Sequence, residues 1–351
     1  MSVLTSNLRA LVNAKKFLPL MRGTELTMAD GTKLFVKVKH TSRTVLSPGL
    51  RFSKWSFCTE IQSCDVIEFG NGEDDCKLLA YEKSIAESLE RLIFRITKNM
   101  GVGTKTTSGW SFHLTESLAQ NASFQELAER DAILVHWLRE IPMTEIAPVS
   151  FPRFLQNWVR NELSLHKTFR HLRILATDKG ILPAIATVLQ TESGHSIVSH
   201  STCPDMLTAV KRALAETCRL ASNIDDSHFF KSSKNLLTGT TDGGVAPQDH
   251  GLLYAYHAKL PEWLFGETMT WREAHSKWKS AFASGMDSKI NFNFRKIIDG
   301  PFVVGFGESE DLQQLYFGST DEALKKGYIN LERLEIDRGA GSLNLLPHFI
   351  A

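Results

Sequence analysis

Two strings in this 351-residue sequence combine residue types and spacing that suit chemistry. Both read E-x-x-E-R, one from Glu87 to Arg91 and the other from Glu126 to Arg130, 39 residues further on. On a helix, glutamates three apart share a face, with Cβ atoms about 5 to 6 Å apart. Two such helices side by side would bring Glu87, Glu90, Glu126 and Glu129 to one point. Like charges repel, so that arrangement requires cations. Mg2+ suits it best, as a hard ion that takes oxygen ligands and commonly bridges carboxylates to nucleotide phosphates. Arg91 and Arg130 would then hold a neighbouring carboxylate or a phosphate through two parallel N–H groups. The same string is common on exposed helix faces, where Glu and Arg are good helix formers that make weak pairs. Spacing alone leaves both readings open.

The elements that must position these residues are legible in outline. Ile85, Leu89, Leu92, Ile93 and Ile96 recur at intervals of three and four, which predicts a helix over about 78–99. A second helix, over about 114–139, has Leu118, Ala122, Leu127, Leu134, Trp137 and Leu138 as its apolar set. A third begins after Pro204, whose missing N–H suits a first turn, and carries Glu216 in its second half. Residues 21–70 read as strands, with a hairpin about Asp30-Gly31, and the acidic "GNGEDD" at 70–75 reads as a turn. "GVGTKTTSGWSFH" at 101–113 is a Gly/Ser/Thr-rich loop or small-residue strand. Strands fill 169–201 with turns at Gly180 and Gly194, and 233–251 is a loop. Beyond it come a helix in "MTWREAHSKWKSAFAS" and a strand in "KIIDGPFVVGFGE". The class is α+β, expected as one domain over 1–351 with a strand-rich part at 1–77, a core at 78–255 and a C-terminal part at 256–351.

Composition narrows the function classes. Lys and Arg number 40 against 39 Asp and Glu, so no global field steers the chain onto nucleic acid or an anionic membrane. No apolar run approaches the roughly 20 residues that span a bilayer, and the N-terminus lacks a secretory signal's apolar region, which together predict a cytoplasmic protein. The five cysteines are odd in number and irregularly spaced, predicting reduced, mostly buried thiols. No G-x-x-x-x-G-K-[ST] phosphate loop is present.

Five segments resemble the YcaO family in that family's order: "AESLER" at 86–91, "TTSGWSFH" at 106–113, "ELAERDA" at 126–132, "CPDMLTAVKRALAE" at 203–216 and "DHGLLYA" at 249–255. The resemblance implies a YcaO-type α+β fold and an enzyme that uses ATP and Mg2+ to activate a peptide backbone amide. In azoline-forming members a Cys, Ser or Thr side chain of a precursor peptide attacks the preceding carbonyl, and phosphorylation lets the amide oxygen leave. It implies Glu87, Glu90, Glu126 and Glu129 as metal ligands. Arg91, Arg130, Ser108, Gly109 and Glu216 are implied at the nucleotide. Lys83 stands where the family usually has Ser, with Ser84 one place late; Asn121 adjoins Ala122 where a polar residue is expected, Leu118 replaces an acid, and Arg219 is close to an expected Arg.

Azoline-forming relatives often end in a Pro-rich tail thought to enter the active site, whereas this chain ends "LNLLPHFIA" with one proline, Pro347. That tail offers His348 or the carboxylate of Ala351 as a base; the alternative is a short surface strand with an incidental His. His113 and His250 are expected to be structural. The implied partners are a precursor peptide, a separate leader-binding protein of a synthetase complex and a flavin-dependent dehydrogenase, with no nucleic acid and no membrane. Thioamide or amidine formation by the same ATP site, and a degenerate scaffold subunit without catalysis, are the alternatives.

Overall fold

The structure is a computed structural model and describes residues 24–27, 33–45, 53–63, 66–74, 76–99, 106–165, 169–222, 253–299, 303–335 and 343–350. The chain divides into two compact units, Met1–Phe124 with Asn293–Glu308, and Gln125–Phe292 with Ser309–Ala351. The first contains an antiparallel sheet of β1 (Thr24–Thr27), β2 (Lys33–Val45), β3 (Ser53–Ser63) and β4 (Val66–Asp74), in that order. Thr27 pairs with Lys33 in the expected hairpin, whose Asp30-Gly31 turn lies outside the described residues.

Helix α1 (Lys77–Asn99) packs on β3 and β4. Its predicted stripe is the core of this unit: Ile85, Leu89, Leu92 and Ile93 are fully buried, beside Phe57, Ile61 and Tyr81. The expected turn at "GNGEDD" is corrected, because β4 runs on through Asp74. Helix and strand nearly touch there. A Cβ on Gly70 would stand 2.1 Å from the Ser84 carbonyl oxygen, and one on Gly72 2.0 Å from that of Ala80. Glycine therefore serves close packing here, while the strand itself remains regular.

A second antiparallel sheet in this unit orders β11 (Asn293–Asp299), β12 (Val303–Glu308) and β5 (Trp110–His113), so "KIIDGPFVVGFGE" contributes to two strands. Trp110 stacks on Phe306 at 4.9 Å. Helix α2 (Glu116–Leu138) starts in the first unit and ends in the second. Every residue from Asp131 to Leu138 is buried, so an apolar stripe describes only the first part of α2.

In the second unit a five-stranded sheet orders β10 (Phe265–Met269), β6 (Met143–Ile146), β7 (Phe169–Ala176), β8 (Ile185–Thr191) and β9 (Ser196–Ser201). Only β10 and β6 run parallel. The turns at Gly180 and Gly194 have φ of +121° and +87°, which suit glycine. Helix α3 (Arg153–Leu165) is an addition to the expected elements. Helix α4 (Met206–Ser222), which follows Pro204, packs on β8 and β9. Helix α5 (Trp271–Met286) opens with a Thr270–Glu273 capping box, and α6 spans Thr320–Lys325. Of the described cysteines, Cys76 is exposed and Cys58, Cys203 and Cys218 are half-buried, so the expected burial is not met.

Candidate functional site

The first string sits on α1, where its polar groups meet two sheet edges. Glu87 accepts a hydrogen bond from the Asn71 N–H at 2.5 Å and another from Arg91 at 2.6 Å. Arg91 also donates to the Phe69 carbonyl at 3.2 Å. β4 is an edge strand among the described residues, so this side-chain pair satisfies backbone groups that no further described strand reaches. Glu90 does the same for β5, also at an edge, by accepting from the Phe112 N–H at 2.7 Å. Lys83 pairs with Asp74 at 2.7 Å. Ser84 faces the sheet instead: it is fully buried, its hydroxyl donates to the Tyr81 carbonyl at 2.8 Å, and its carbonyl accepts from Thr59.

Ser108 and Gly109 lead into β5. Ser108 is buried and its Oγ has no hydrogen-bond partner among the described residues. Gly109 has φ +78°, a conformation that favours glycine, and its carbonyl accepts from the Gly307 N–H at 2.9 Å. Asn121 is exposed on α2. His113 is half-buried at the end of β5, where burial holds its imidazole below the usual range.

The second string, in the other unit, lies against β9. Glu129 accepts from the His200 ring at 2.7 Å and from the Thr202 N–H at 2.8 Å. Arg130 directs Nη1 to the other nitrogen of the same ring at 2.6 Å. Nδ1–H donates to the Glu129 carboxylate, and the same Arg130 Nη1 also lies 3.2 Å from Nδ1, so the guanidinium contacts both ring nitrogens. Burial and the Arg130 charge hold His200 below its usual range, against the pull of Glu129 and Glu216. Burial would raise the Glu129 carboxyl, but His200, Arg130 and the Thr202 N–H together bring it below the usual carboxylate range. Glu126 is half-buried, 3.9 Å from Arg130 Nη2. Glu216 and Arg219 lie on α4, and only the backbone of Arg219 is described.

Sequence reasoning missed His200 and Thr202. The available signal was small: a His at the end of a strand, directly before the helix led by Pro204. It also missed Asp131, the next residue of the string. Asp131 is fully buried and accepts two hydrogen bonds from Arg333, at 2.8 and 2.6 Å, and one from the Gln313 N–H at 2.9 Å.

The tail requires a correction. His348 is fully buried; its Nε2 bonds the Tyr316 carbonyl at 2.6 Å and its Nδ1 accepts from the Ile350 N–H at 3.2 Å. Phe349 and Ile350 are buried in the core of the second unit. With both ring nitrogens engaged in the core, His348 anchors the chain end and is neither a surface residue nor an available base. Ala351 and His250 lie outside the described residues.

The residues present fit a nucleotide with Mg2+. Among the described residues no group of three or more His, Cys, Asp or Glu is arranged to hold a metal by itself. Mg2+ does not need one, since it is commonly bound by one or two carboxylates together with phosphate oxygens and water. Glu129 is already held by the Thr202 N–H and the His200 ring, and a carboxylate has about four lone-pair sites, so it keeps capacity for a cation. Among the described residues Arg130 Nε is buried without a partner, a condition that a phosphate oxygen would relieve.

The sequence model of the family described as YcaO cyclodehydratase, ATP- and Mg2+-binding, matches residues 89–290, more than half of the chain. The chain belongs to the YcaO family. No curated protein matches it by sequence. Among solved structures, Methanopyrus kandleri YcaO bound with AMPPCP and Mg2+ aligns over 97% of this chain and 96% of its own, at 10% identity and a TM-score of 0.54. A chain of the E. coli microcin synthetase McbBCD complex with pro-MccB17 bound aligns over 90% of this chain and 96% of its own, at 13% identity and a TM-score of 0.57. At such identities the likeness establishes the YcaO fold, in agreement with the α+β expectation. No helix among the described residues is long and apolar enough to cross a membrane.

Proposed function

We propose that this YcaO chain is the ATP-dependent cyclodehydratase subunit of a peptide-modifying complex, forming thiazoline or oxazoline rings from Cys, Ser or Thr residues of a precursor peptide. The observation that carries the reading is the under-satisfied, buried Arg130 beside an ionised Glu129, in a chain whose family is described as ATP- and Mg2+-binding. Glu126 and Glu129 would hold Mg2+ and Arg130 would donate to a phosphate oxygen; the family resemblance implies Glu87 and Glu90 as metal ligands as well. Bound in that way, ATP supplies the phosphoryl group that turns the amide oxygen into a leaving group. Arg130 and the carboxylates contribute fixed charge and positioning, which is most of what phosphoryl transfer asks of a protein. The E. coli relative, a complex with its pro-peptide bound, supports the expectation of a separate partner that delivers the precursor.

A second reading, a scaffold subunit without catalysis, draws on the first string: both Glu87 oxygens serve Asn71 and Arg91, as in a purely structural edge cap. Glu129→Gln separates the two. The neutral side chain keeps its shape and loses the charge for a cation. ATP turnover with partner and precursor is expected to fall about 100-fold or more, with far-UV circular dichroism unchanged. Unaltered turnover defeats the site assignment, and absence of turnover in the parent complex favours the scaffold. Mass spectrometry of the peptide, showing one water lost per ring, distinguishes azolines from an exchange of oxygen for sulfur.

A further inference from the structure

Helices α3 and α4 lie side by side on the five-stranded sheet, with Lys211 of α4 set over the Phe154 ring of α3 at 5.5 Å. Beside that contact Trp158 and Val159 of α3, Leu214 and Cys218 of α4, and Leu172 and Leu189 of the sheet line a cavity of about 260 Å³, its open mouth included. Thr217 completes the lining, and its hydroxyl is engaged with Thr187 at 2.6 Å and with the Ala213 carbonyl at 3.0 Å. Small-molecule sites measure about 300 to 1,000 Å³ and carry convergent polar groups, so this smaller, apolar cavity suits a single anchoring side chain. The rim carries charge of one sign. Arg153 and Arg160 on α3, and Lys211 and Arg212 on α4, are exposed, whereas no acid of either helix is exposed among the described side chains. Asp205, just before α4, is occupied in bonding Thr208. The asymmetry is local, since the whole chain has 40 basic against 39 acidic residues.

From this geometry we propose that the groove between α3 and α4 docks an acidic helical segment of the separate partner protein, with an apolar side chain in the cavity and carboxylates at the basic rim. Helix-in-groove recognition works through apolar anchors at i, i+3, i+4 and i+7. The groove repeats at matching intervals, through Phe154 and Trp158 on one wall and Lys211, Leu214 and Cys218 on the other. Single-stranded nucleic acid is also drawn to basic, aromatic surfaces, but it would leave the apolar cavity unfilled. The groove lies across the sheet from Glu129 and Arg130: Ala186 pairs with His200, and Leu189, three residues on, faces the other side of β8. A segment docked over Leu189 therefore leaves the nucleotide site open, as a partner that stays bound through turnover requires. The inference rests on the expectation of a separate partner given above and adds the surface that receives it.

Fluorescence anisotropy of the full-length protein with a labelled synthetic helical peptide, rich in Glu with Leu at i, i+3, i+4 and i+7, tests the proposal. A peptide with the same leucines and Lys in place of Glu, and a single-stranded oligothymidylate, are the comparison probes. The Glu peptide is expected to bind about tenfold or more tightly than either. Lys211→Glu should weaken its binding about tenfold by setting like charge against it. Phe154→Ser should weaken it by about the same factor through loss of an apolar wall. In both variants far-UV circular dichroism and AMPPCP binding by the chain alone should be unchanged. Failure of the Glu peptide to bind overturns the proposal, whether another part of this chain or a second copy already fills the groove. So do equal affinity for the Lys peptide, tighter binding of the oligothymidylate, and unaltered affinity in either variant. Parent protein that binds the Glu peptide but no AMPPCP, with or without Mg2+, overturns the nucleotide reading and leaves the docking surface standing.

Discussion

The string on α1 lies against sheet edges, whereas the string on α2 lies against a strand carrying a buried imidazole. In the first, Glu87 and Arg91 pair with each other at 2.6 Å, with side chains 32% and 45% exposed. In the second, Glu129 and Arg130 are 14% and 15% exposed and both contact His200. The residue after each arginine differs as well: Leu92 joins an apolar core, and Asp131 holds Arg333. One five-letter pattern thus performs two jobs, and what packs on the helix selects between them. Exposed pairs have little effect on stability, and their use is local, here in satisfying the backbone of β4. Buried charges must be hydrogen-bonded, so the second string imposes partners on the rest of its unit.

The comparison is broken most severely at Asp131. Asp131→Ala leaves Arg333 without its bidentate partner and should destabilise the protein by about 3 kcal/mol, measured by urea unfolding. A cost below about 1 kcal/mol would place the second string among ordinary surface pairs. Arg91→Ala removes an exposed pair and should lower stability by only about 0.5 kcal/mol. Its clearer effect should be concentration-dependent self-association in sedimentation, because β4 then offers an unguarded edge flanked by the exposed Ile67 and Phe69.

The smallest expected effect is in pH dependence, where the two helices should differ in sign. Burial, and then the Asp74 charge, push the Glu82 carboxyl on α1 up to about 7 from a starting value of 4.5. The folded state therefore keeps a proton that the unfolded chain releases, and this contribution to stability declines as pH rises across that interval. Glu82→Gln should flatten the decline, seen by comparing unfolding near pH 5 and near pH 8. Glu129 is displaced downwards, so its contribution is present above the usual carboxylate range and lost as pH falls through its folded value.

The tail and β4 show where local pattern misleads. "LNLLPHFIA" has the composition of a peripheral strand, yet His348, Phe349 and Ile350 are buried, with the imidazole bonded to the carbonyl of Tyr316, 32 residues away. "GNGED" has the composition of a turn, yet it continues a strand because α1 lies too close for any side chain.

By itself, the sequence determined the three long helices, their buried apolar faces, the hairpins about Gly180 and Gly194, and the family to which the chain belongs. Those features arise from periodicities of a few residues and from residue order, which are local properties. Only the tertiary structure decided that Glu87 guards a sheet edge, that Glu129 and Arg130 meet at His200, and that Asp131 faces Arg333. His200 lies 71 residues from Glu129 and Arg333 lies 202 from Asp131, and such contacts depend on which surfaces the folded chain brings together. No periodicity in either segment encodes its distant partner.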